Sequence, residues 1–240
     1  MSKELRVLER AIKQMSNPTR AKLTARYFKT GKGEYGEGDQ FLGLTVPQLR
    51  ELAKQYQDLA LGEVKQLLKS KFHEFRLVGL LILVSKFVGT QKTQDYKIQD
   101  KIYKFYLANI TAVNNWDLVD LSAPTIVGGY LFARSKNKLY NLARSENLWS
   151  RRIAIVATLH FIRYQKFFDT LKLAKIFLTD KADLIHKATG WALREVGKQD
   201  EKVLKQFLQK NCHKMPRTML RYAIEKFPKI LRQKYLAGEI

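Results

Sequence analysis

Apolar residues recur along the chain at the spacing of amphipathic helices. In residues 148–163 they are separated by three or four positions, in the order Trp149, Ile153, Val156, Leu159 and Ile162. Because residues at this spacing lie on one face of a helix, the pattern predicts an α-helix with one buried face. Similar patterns recur over most of the chain, and no strand pattern competes with them. The sequence therefore predicts an all-α protein.

Four segments resemble copies of one unit. Each has a basic residue directly before an apolar run, and alignment on that residue matches Arg76, Arg152, Lys187 and Arg217. The last three lie 35 and 30 residues apart, and Asp120 falls 32 residues before Arg152. Such intervals are typical of stacked helical pairs. We therefore predict an α-α superhelix (solenoid), in which neighbouring pairs bury one another's faces and the curvature forms a concave, basic cleft.

A glycine-rich segment interrupts the helical pattern at residues 31–47. We expect a loop that ends near Pro47, a residue suited to the first turn of the next helix. Gly31, Gly33 and Gly36 form a literal GxGxxG motif, but no strand pattern precedes it. Acidic side chains in the same segment would repel a pyrophosphate, so we do not expect a dinucleotide site. These are Glu34, Glu37 and Asp39.

A second interruption is predicted at Pro124, in a helix that begins near Trp116. Proline removes a backbone hydrogen bond, so the helix should kink or stop shortly after Asp120. Asn115 is suited to cap the start of this helix. Trp116 and Asp120 lie four positions apart, which places them one helical turn apart on the same face.

Charge narrows the class of partner. The chain carries 44 Lys and Arg residues against 22 Asp and Glu residues, a formal net charge of +22. A strongly basic protein attracts polyanions, so we expect nucleic acid as the partner, ahead of an acidic membrane surface. The longest apolar run, residues 77–84, is too short to cross a bilayer, and the first residues lack a signal-peptide pattern. We expect a cytoplasmic protein.

Cysteine and histidine give no sign of metal or redox chemistry. The single cysteine, Cys212, excludes an internal disulfide and a zinc site with several cysteines. The four histidines show neither triad nor metal-ligand spacing, and the sequence assigns them no role: His73, His160, His186 and His213. We therefore expect neither a metal nor a cofactor.

Six short motifs resemble one known family. They are ARYFKTG around Arg26, FLGLTVPQLRELAKQY from Phe41, WDLVD from Trp116, LWSRRIA from Leu148, KATGWALRE from Lys187 and MPRTMLRYAIEKFP from Met215. In this order they resemble the bacterial DNA alkylation repair family, the AlkD-like DNA glycosylases. The resemblance spans nearly the whole chain, and WDxVD followed by GWxLRE is its most specific part. It implies a single domain of HEAT-like repeats over residues 1–240.

The resemblance also implies site residues. The catalytic aspartate of the family matches Asp120, and its active-site tryptophans match Trp116 and Trp191. Its lesion-proximal arginine matches Arg152, with the adjacent Arg151 as the alternative register. The insertion at residues 31–38 departs from the family pattern. With the repeat positions included, the predicted DNA-binding residues are Arg50, Arg76, Arg151, Lys187, Arg194, Arg217 and Arg221.

The implied reaction is hydrolysis of the N-glycosidic bond of alkylated purines such as 3-methyladenine and 7-methylguanine, in double-stranded DNA. A ring-alkylated purine is already cationic and leaves readily, so a second carboxylate acting as general acid is unnecessary. One carboxylate, Asp120, suffices to stabilise the positive charge that develops on the deoxyribose, or to orient or deprotonate the attacking water. Trp116 and Trp191 offer π faces to a cationic base.

Structural interpretations compete with these roles. A tryptophan at helical spacing is more often part of a core, and we place Trp149 there. Asp117 lies in the first turn of its helix, where the helix dipole stabilises a carboxylate for structural reasons. The alternative function is a non-catalytic HEAT-like module that binds nucleic acid or a protein. The expected oligomeric state is a monomer.

Overall fold

The computed structural model describes residues 2–240. In this part of the chain all regular structure is helical, apart from an isolated β-bridge between Gln40 and Phe72. The chain forms two compact units, one up to Ile126 and the other from Val127. The all-α, helical-repeat fold class predicted from the sequence is confirmed. That the whole chain forms a single domain stays a prediction.

The first unit contains seven α-helices among the described residues. They are α1 (Lys3–Gln14), α2 (Pro18–Tyr27), α3 (Val46–Gln55), α4 (Leu61–Leu68), α5 (His73–Lys92), α6 (Tyr96–Ala108) and α7 (Trp116–Ala123). A short 3₁₀ turn, Ile110–Ala112, precedes α7.

Helix α5 lies at the centre of this unit. It packs against α1, α3, α4, α6 and α7. From His73 to Leu83 all of its residues are buried, so the helix has no solvent-facing side there. A helix that is apolar on all sides must be covered on all sides, which explains its central position. No helix in residues 2–240 is both long enough and apolar enough to cross a membrane.

The second unit contains the remaining helices of the described chain. They are α8 (Gly129–Leu131), α9 (Asn137–Ala143), α10 (Leu148–Ala157), α11 (Leu159–Ile162), α12 (Phe168–Ile176), α13 (Asp183–Gln199), α14 (Glu201–Asn211), α15 (Arg217–Ala223) and α16 (Lys229–Ala237).

Helix α13 is the centre of the second unit. It packs against α10, α11, α12, α14 and α15. It approaches α15 closely at Gly190, where an added Cβ would lie 2.5 Å from both the Met219 carbonyl oxygen and the Tyr222 Cβ. This glycine of the KATGWALRE motif therefore allows the two helices to pack closely. Trp149 is buried in this unit, which confirms its predicted place in the core.

Two features of the helix pattern are resolved in more detail by the structure. The helix predicted over residues 148–163 is divided at Thr158, whose hydroxyl donates to the carbonyl of Ile155. Such a side-chain bond competes with the regular backbone ladder. At Pro124, as predicted, α7 ends and the chain continues as a wider π-helical turn, Pro124–Gly128. The missing proline N–H accounts for this interruption.

Candidate functional site

Trp116 and Asp120 lie one turn apart on α7, and both are half-buried. The side chain of Asn115 accepts a hydrogen bond from the Trp116 amide at 2.8 Å, which confirms the predicted cap. Beneath them, the hydroxyls of Tyr106 and Ser122 form a buried hydrogen bond of 2.9 Å between α6 and α7. Burial raises the pKa of the Tyr106 phenol, and the charge of Asp120 raises it further. The carboxylate of Asp120 therefore lies close enough to this buried phenol to influence its ionisation.

The indole ring of Trp116 belongs to an aromatic cluster. It stacks on Phe28, with ring centroids 5.0 Å apart and planes 8° apart, and it meets Tyr27 edge to face at 5.9 Å. Phe28 in turn stacks on Phe41 at 5.1 Å. Tyr27 is 68% exposed, so the cluster reaches the protein surface. Trp116 is therefore neither a core residue nor a loose surface ring.

Next to this cluster lies a buried network of charged and polar side chains, which we call the His73 network: Asp39, His73, Arg76, Asn115 and Asp117. Nε2 of His73 lies 2.8 Å from Asp117 Oδ2, and Nδ1 lies 3.3 Å from Asp39 Oδ2. Asp39 also accepts hydrogen bonds from Arg76 at 2.6 Å and from Asn115 at 3.1 Å. The network joins the loop, α5 and α7.

The carboxylates determine the protonation of His73. Burial by itself would lower the pKa of His73, but the hydrogen bonds to Asp117 and Asp39 outweigh it and raise the pKa to about 9. Burial acts to raise the pKa of Asp39, but the bonds from His73 and Asn115 and the charge of Arg76 lower it below its usual value. At neutral pH His73 is a buried imidazolium between two carboxylates.

The loop that carries Asp39 is fixed to the start of α5. The carboxylate of Glu74 accepts hydrogen bonds from the backbone amides of Leu42 at 2.9 Å and Gly43 at 2.7 Å. Gly43 has a φ of +86°, and an added Cβ would lie 2.3 Å from the Asn17 carbonyl oxygen. Only glycine fits this position without strain. The FLGLTVP motif thus places Phe41 and the loop against α5.

This arrangement argues against the phosphate-binding role that the sequence predicts for Arg76. Arg76 is only 4% exposed, and its guanidinium binds Asp39 and the Ser70 carbonyl. A phosphate could reach it only if the buried pair were broken, at a cost of several kcal/mol. Asp117 lies in the first turn of α7, where the helix dipole stabilises its carboxylate as the sequence indicated. It also accepts a hydrogen bond from His73.

In the second unit, Arg151 and Arg152 make different contacts. Arg151 binds Asp180 at 2.6 Å and donates to the carbonyls of Ser145 and Glu146. Arg152 is buried and donates to the Leu184 carbonyl at 2.7 Å. Both side chains thus connect α10 to neighbouring segments. Which of the two lies near a lesion stays a prediction.

Trp191 lies on the polar side of α13. It is half-buried, and its indole N–H donates to Glu195 at 3.2 Å. Glu195 also binds Arg194 at 3.3 Å and Lys198 at 2.8 Å, and Arg194 forms a further ion pair with Glu225. The indole N–H of Trp191 thus bonds to a carboxylate that is shared with two basic side chains.

The remaining predicted DNA-binding residues are more accessible. Lys187 and Arg221 border a hollow of about 500 Å³ in the second unit, whose other lining residues are Asp183, Thr218, Tyr222, Glu225 and Arg232. Arg217 is exposed and bonds to the Leu236 carbonyl, and Arg50 is exposed on α3. Of the predicted set, the structure therefore brings together Lys187 with Arg221. Residues 2–240 contain no group of three or more His, Cys, Asp or Glu placed to hold a metal ion.

Comparison with known proteins identifies the family. The family model described as "DNA alkylation repair enzyme" matches residues 8–227. The chain belongs to this family. A solved structure described as a predicted DNA alkylation repair enzyme from Enterococcus faecalis has the same fold, with a TM-score of 0.66. The two chains are 17% identical, and the match covers 89% of this chain and 97% of that one. No curated protein matches the chain significantly.

Family membership confirms the resemblance found in the motifs, and it makes DNA the substrate class. The sequence did not predict the role of His73 or the contribution of Asp39. One signal pointed to the former: the polar residues His73, Glu74 and Arg76 directly precede the longest apolar run. Polar groups at the start of a fully buried helix need buried partners. No local signal indicates Asp39, which meets His73 only through the fold.

Proposed function

We propose that this DNA alkylation repair enzyme is a monofunctional DNA glycosylase. Its substrates are cationic alkylated purines in double-stranded DNA, of the 3-methyladenine and 7-methylguanine type. The observation that carries the proposal is the pairing on α7 of Asp120 with Trp116, one turn apart and both half-buried, beside an aromatic cluster that reaches the surface. A scaffold protein has no use for a carboxylate in a phosphate-binding region.

The chemistry needs one carboxylate. A purine alkylated on its ring carries a positive charge, so it departs as a neutral base and requires no proton from the enzyme. As the bond to the sugar breaks, positive charge develops on the deoxyribose. A fixed carboxylate beside that charge stabilises the transition state more than the ground state. Asp120 stabilises this positive charge, or it orients or deprotonates the attacking water, or it does both.

Aromatic side chains account for selectivity in the proposal. A cation over the face of an indole gains about 0.5 to 2 kcal/mol, and a neutral base gains less. Trp116 and Trp191 therefore favour a damaged base over an intact one. Arg152 is assigned to the lesion-proximal position, as the family resemblance implies. The reaction uses neither a metal nor a cofactor, and the enzyme acts as a monomer.

DNA binding is assigned to the basic residues that solvent reaches at least in part. With the buried Arg76 left out, these are Arg50, Arg151, Lys187, Arg194, Arg217 and Arg221. Contacts to phosphate fix position without reading sequence. Binding should therefore depend strongly on salt concentration and weakly on base sequence. The net charge of +22 supports this mode of binding.

The decisive experiment is base release by wild type and Asp120→Asn. Methylated duplex DNA is incubated with excess enzyme, and free 3-methyladenine and 7-methylguanine are measured over time. We expect Asp120→Asn to slow release by about a hundredfold or more, since a well-placed electrostatic group contributes that much. Binding to undamaged DNA should remain unchanged.

A matched control uses Asp100→Asn. Asp100 is a carboxylate of the same unit that pairs with Lys104 on the outside of α6. This variant loses the same charge and should release bases at the wild-type rate. Equal rates for Asp120→Asn and wild type would refute the catalytic assignment. If the wild type releases no base but binds DNA, the alternative of a non-catalytic module is correct.

A further inference from the structure

We propose that His73, bound between Asp39 and Asp117, is a positioning residue that fixes Trp116 for base release. The inference rests on the proposed function for its catalytic consequence. Its structural content, that His73 determines the environment of the Trp116 ring, can be tested without any activity.

The residues on both sides of Trp116 in the chain bond to the His73 network. Asn115 precedes it and donates to Asp39 at 3.1 Å, while Asp117 follows it and accepts from His73 at 2.8 Å. Asp39 and His73 are themselves 3.3 Å apart. The backbone of Trp116 is thus held between two residues that belong to one buried network. A shift of the network would move both ends of this tripeptide.

The indole ring of Trp116 is also linked to His73, through the aromatic cluster. Trp116 stacks on Phe28, and Phe28 contacts the imidazole of His73 with centroids 5.1 Å apart. Phe41 also stacks on the imidazole, with ring centroids 4.7 Å apart. The ring of Trp116 therefore packs on Phe28, which in turn packs on His73. Backbone and ring are positioned from the same buried group.

The geometry of the network requires His73 to be protonated. Both ring nitrogens of His73 face carboxylate oxygens, and a carboxylate can only accept hydrogen bonds. Two donating nitrogens require the imidazolium form. The charged groups around it are Asp39 from the loop, Asp117 from α7, and Arg76 and Glu74 from α5. Loss of the proton removes one of the two bonds and loosens the link to the loop or to α7.

The direct test follows Trp116 by ¹⁹F NMR in protein labelled with 5-fluorotryptophan. Trp116→Phe identifies its signal among the three tryptophans. In the wild type we expect this signal to titrate as pH rises through about 9, the pKa of His73. In His73→Gln the signal should be shifted and should no longer titrate, while the signals of Trp149 and Trp191 stay unchanged.

The kinetic test separates positioning from binding. His73→Gln should lower the single-turnover rate of base release by about ten- to a hundredfold, the effect of a small misplacement of a reacting group. The dissociation constant for DNA should stay within about twofold, since His73 is buried and makes no phosphate contact. Asp39→Asn keeps the shape of the network and should show the same effects in weaker form.

Gln99→Ala is the control for the loss of a buried hydrogen bond in the same unit. Its amide donates to the Thr90 carbonyl at 3.2 Å, at the far end of α5 from His73. It should lower stability but leave the Trp116 signal and the rate of base release unchanged. If His73→Gln leaves the Trp116 signal where it is in the wild type, the inference is wrong. If that signal moves as expected but the wild type releases no base, positioning by His73 stands and the proposed glycosylase function fails.

If His73→Gln does not fold, Asp39→Asn supplies both readouts. An unchanged Trp116 signal and rate in that variant would likewise overturn the proposal.

Discussion

Trp116 and Trp191 are both half-buried and both adjoin charged side chains, yet they are held in different ways. Around Trp116 the charged partners are the buried Asp39, His73, Arg76 and Asp117, each with a side chain no more than 8% exposed. Around Trp191 the charged side chains are more accessible to solvent: Arg194, Glu195 and Lys198 are 18%, 24% and 43% exposed. Buried pairs are strongly directional and costly to break, whereas exposed pairs contribute little. Trp116 is therefore fixed by electrostatics, and Trp191 by the packing of its helix.

The largest expected effect is that of Asp39→Ala. This change leaves the buried charges of His73 and Arg76 without their common partner. Removal of one member of a buried ion pair destabilises by about 3 to 5 kcal/mol. Urea unfolding monitored by circular dichroism gives the free energy of unfolding. If Asp39→Ala lowers the free energy of unfolding by less than about 1 kcal/mol, the His73 network contributes no more than a surface ion pair. The proposed difference between Trp116 and Trp191 would then be wrong.

The pH dependence of stability gives the next largest effect. The folded-state pKa of His73 is raised from its usual 6.5 to about 9. The protonated network therefore contributes its full stabilisation below pH 6.5, and this contribution is lost as pH rises through 9. The loss is at most about 3 kcal/mol. Urea unfolding of the wild type and His73→Gln at several pH values should show a decline that is absent from the variant.

A steric change tests how Trp191 is positioned. Gly190→Ala places a methyl group 2.5 Å from the Met219 carbonyl oxygen, and the backbone there cannot move aside easily. Overpacking of this kind destabilises by about 1 to 3 kcal/mol. Gly62→Ala is the matched control, because an added Cβ at Gly62 in α4 meets no atom within 4 Å. That variant should be as stable as the wild type or more so, by differential scanning calorimetry.

The smallest expected effect is that of Glu195→Gln. It removes the charge that pairs with Arg194 and Lys198 but keeps an oxygen that can accept from Trp191. Exposed pairs are worth less than about 1 kcal/mol, so the midpoint of urea unfolding should hardly move. A loss as large as that of Asp39→Ala would show that both tryptophans depend on their ion pairs.

Local patterns predicted the helical part of the fold. The apolar stripe of residues 148–163, the cap at Asn115 and the interruption at Pro124 each follow from the chemistry of a few adjacent residues. The core position of Trp149 followed in the same way. The pairing of Trp116 and Asp120 on one helix face required only the helical repeat and is observed. Their catalytic roles stay predictions.

The His73 network could not be predicted from the sequence. Asp39 and His73 are 34 residues apart, and His73 and Asp117 are 44 apart. Nothing in their immediate surroundings specifies these contacts. The burial of Arg76 was not predicted because alignment of the repeats on a basic residue treats equivalent positions as equally exposed. The first half of α5 is covered on all sides, so Arg76 is buried, as is Arg152 on α10, whereas Lys187 on α13 is partly exposed.

The carboxylate of Glu74 accepts hydrogen bonds from backbone amides of the FLGLTVP motif and from none of its side chains. Every amino acid except proline offers the same backbone N–H, so these hydrogen bonds do not depend on which other residue stands at position 42. Replacing Leu42 by any residue other than proline should leave the loop in place, whereas Gly43 and Glu74 allow no such freedom. Position 42 is thus a place next to the aromatic cluster where the side chain can be changed without loss of the anchorage of the loop.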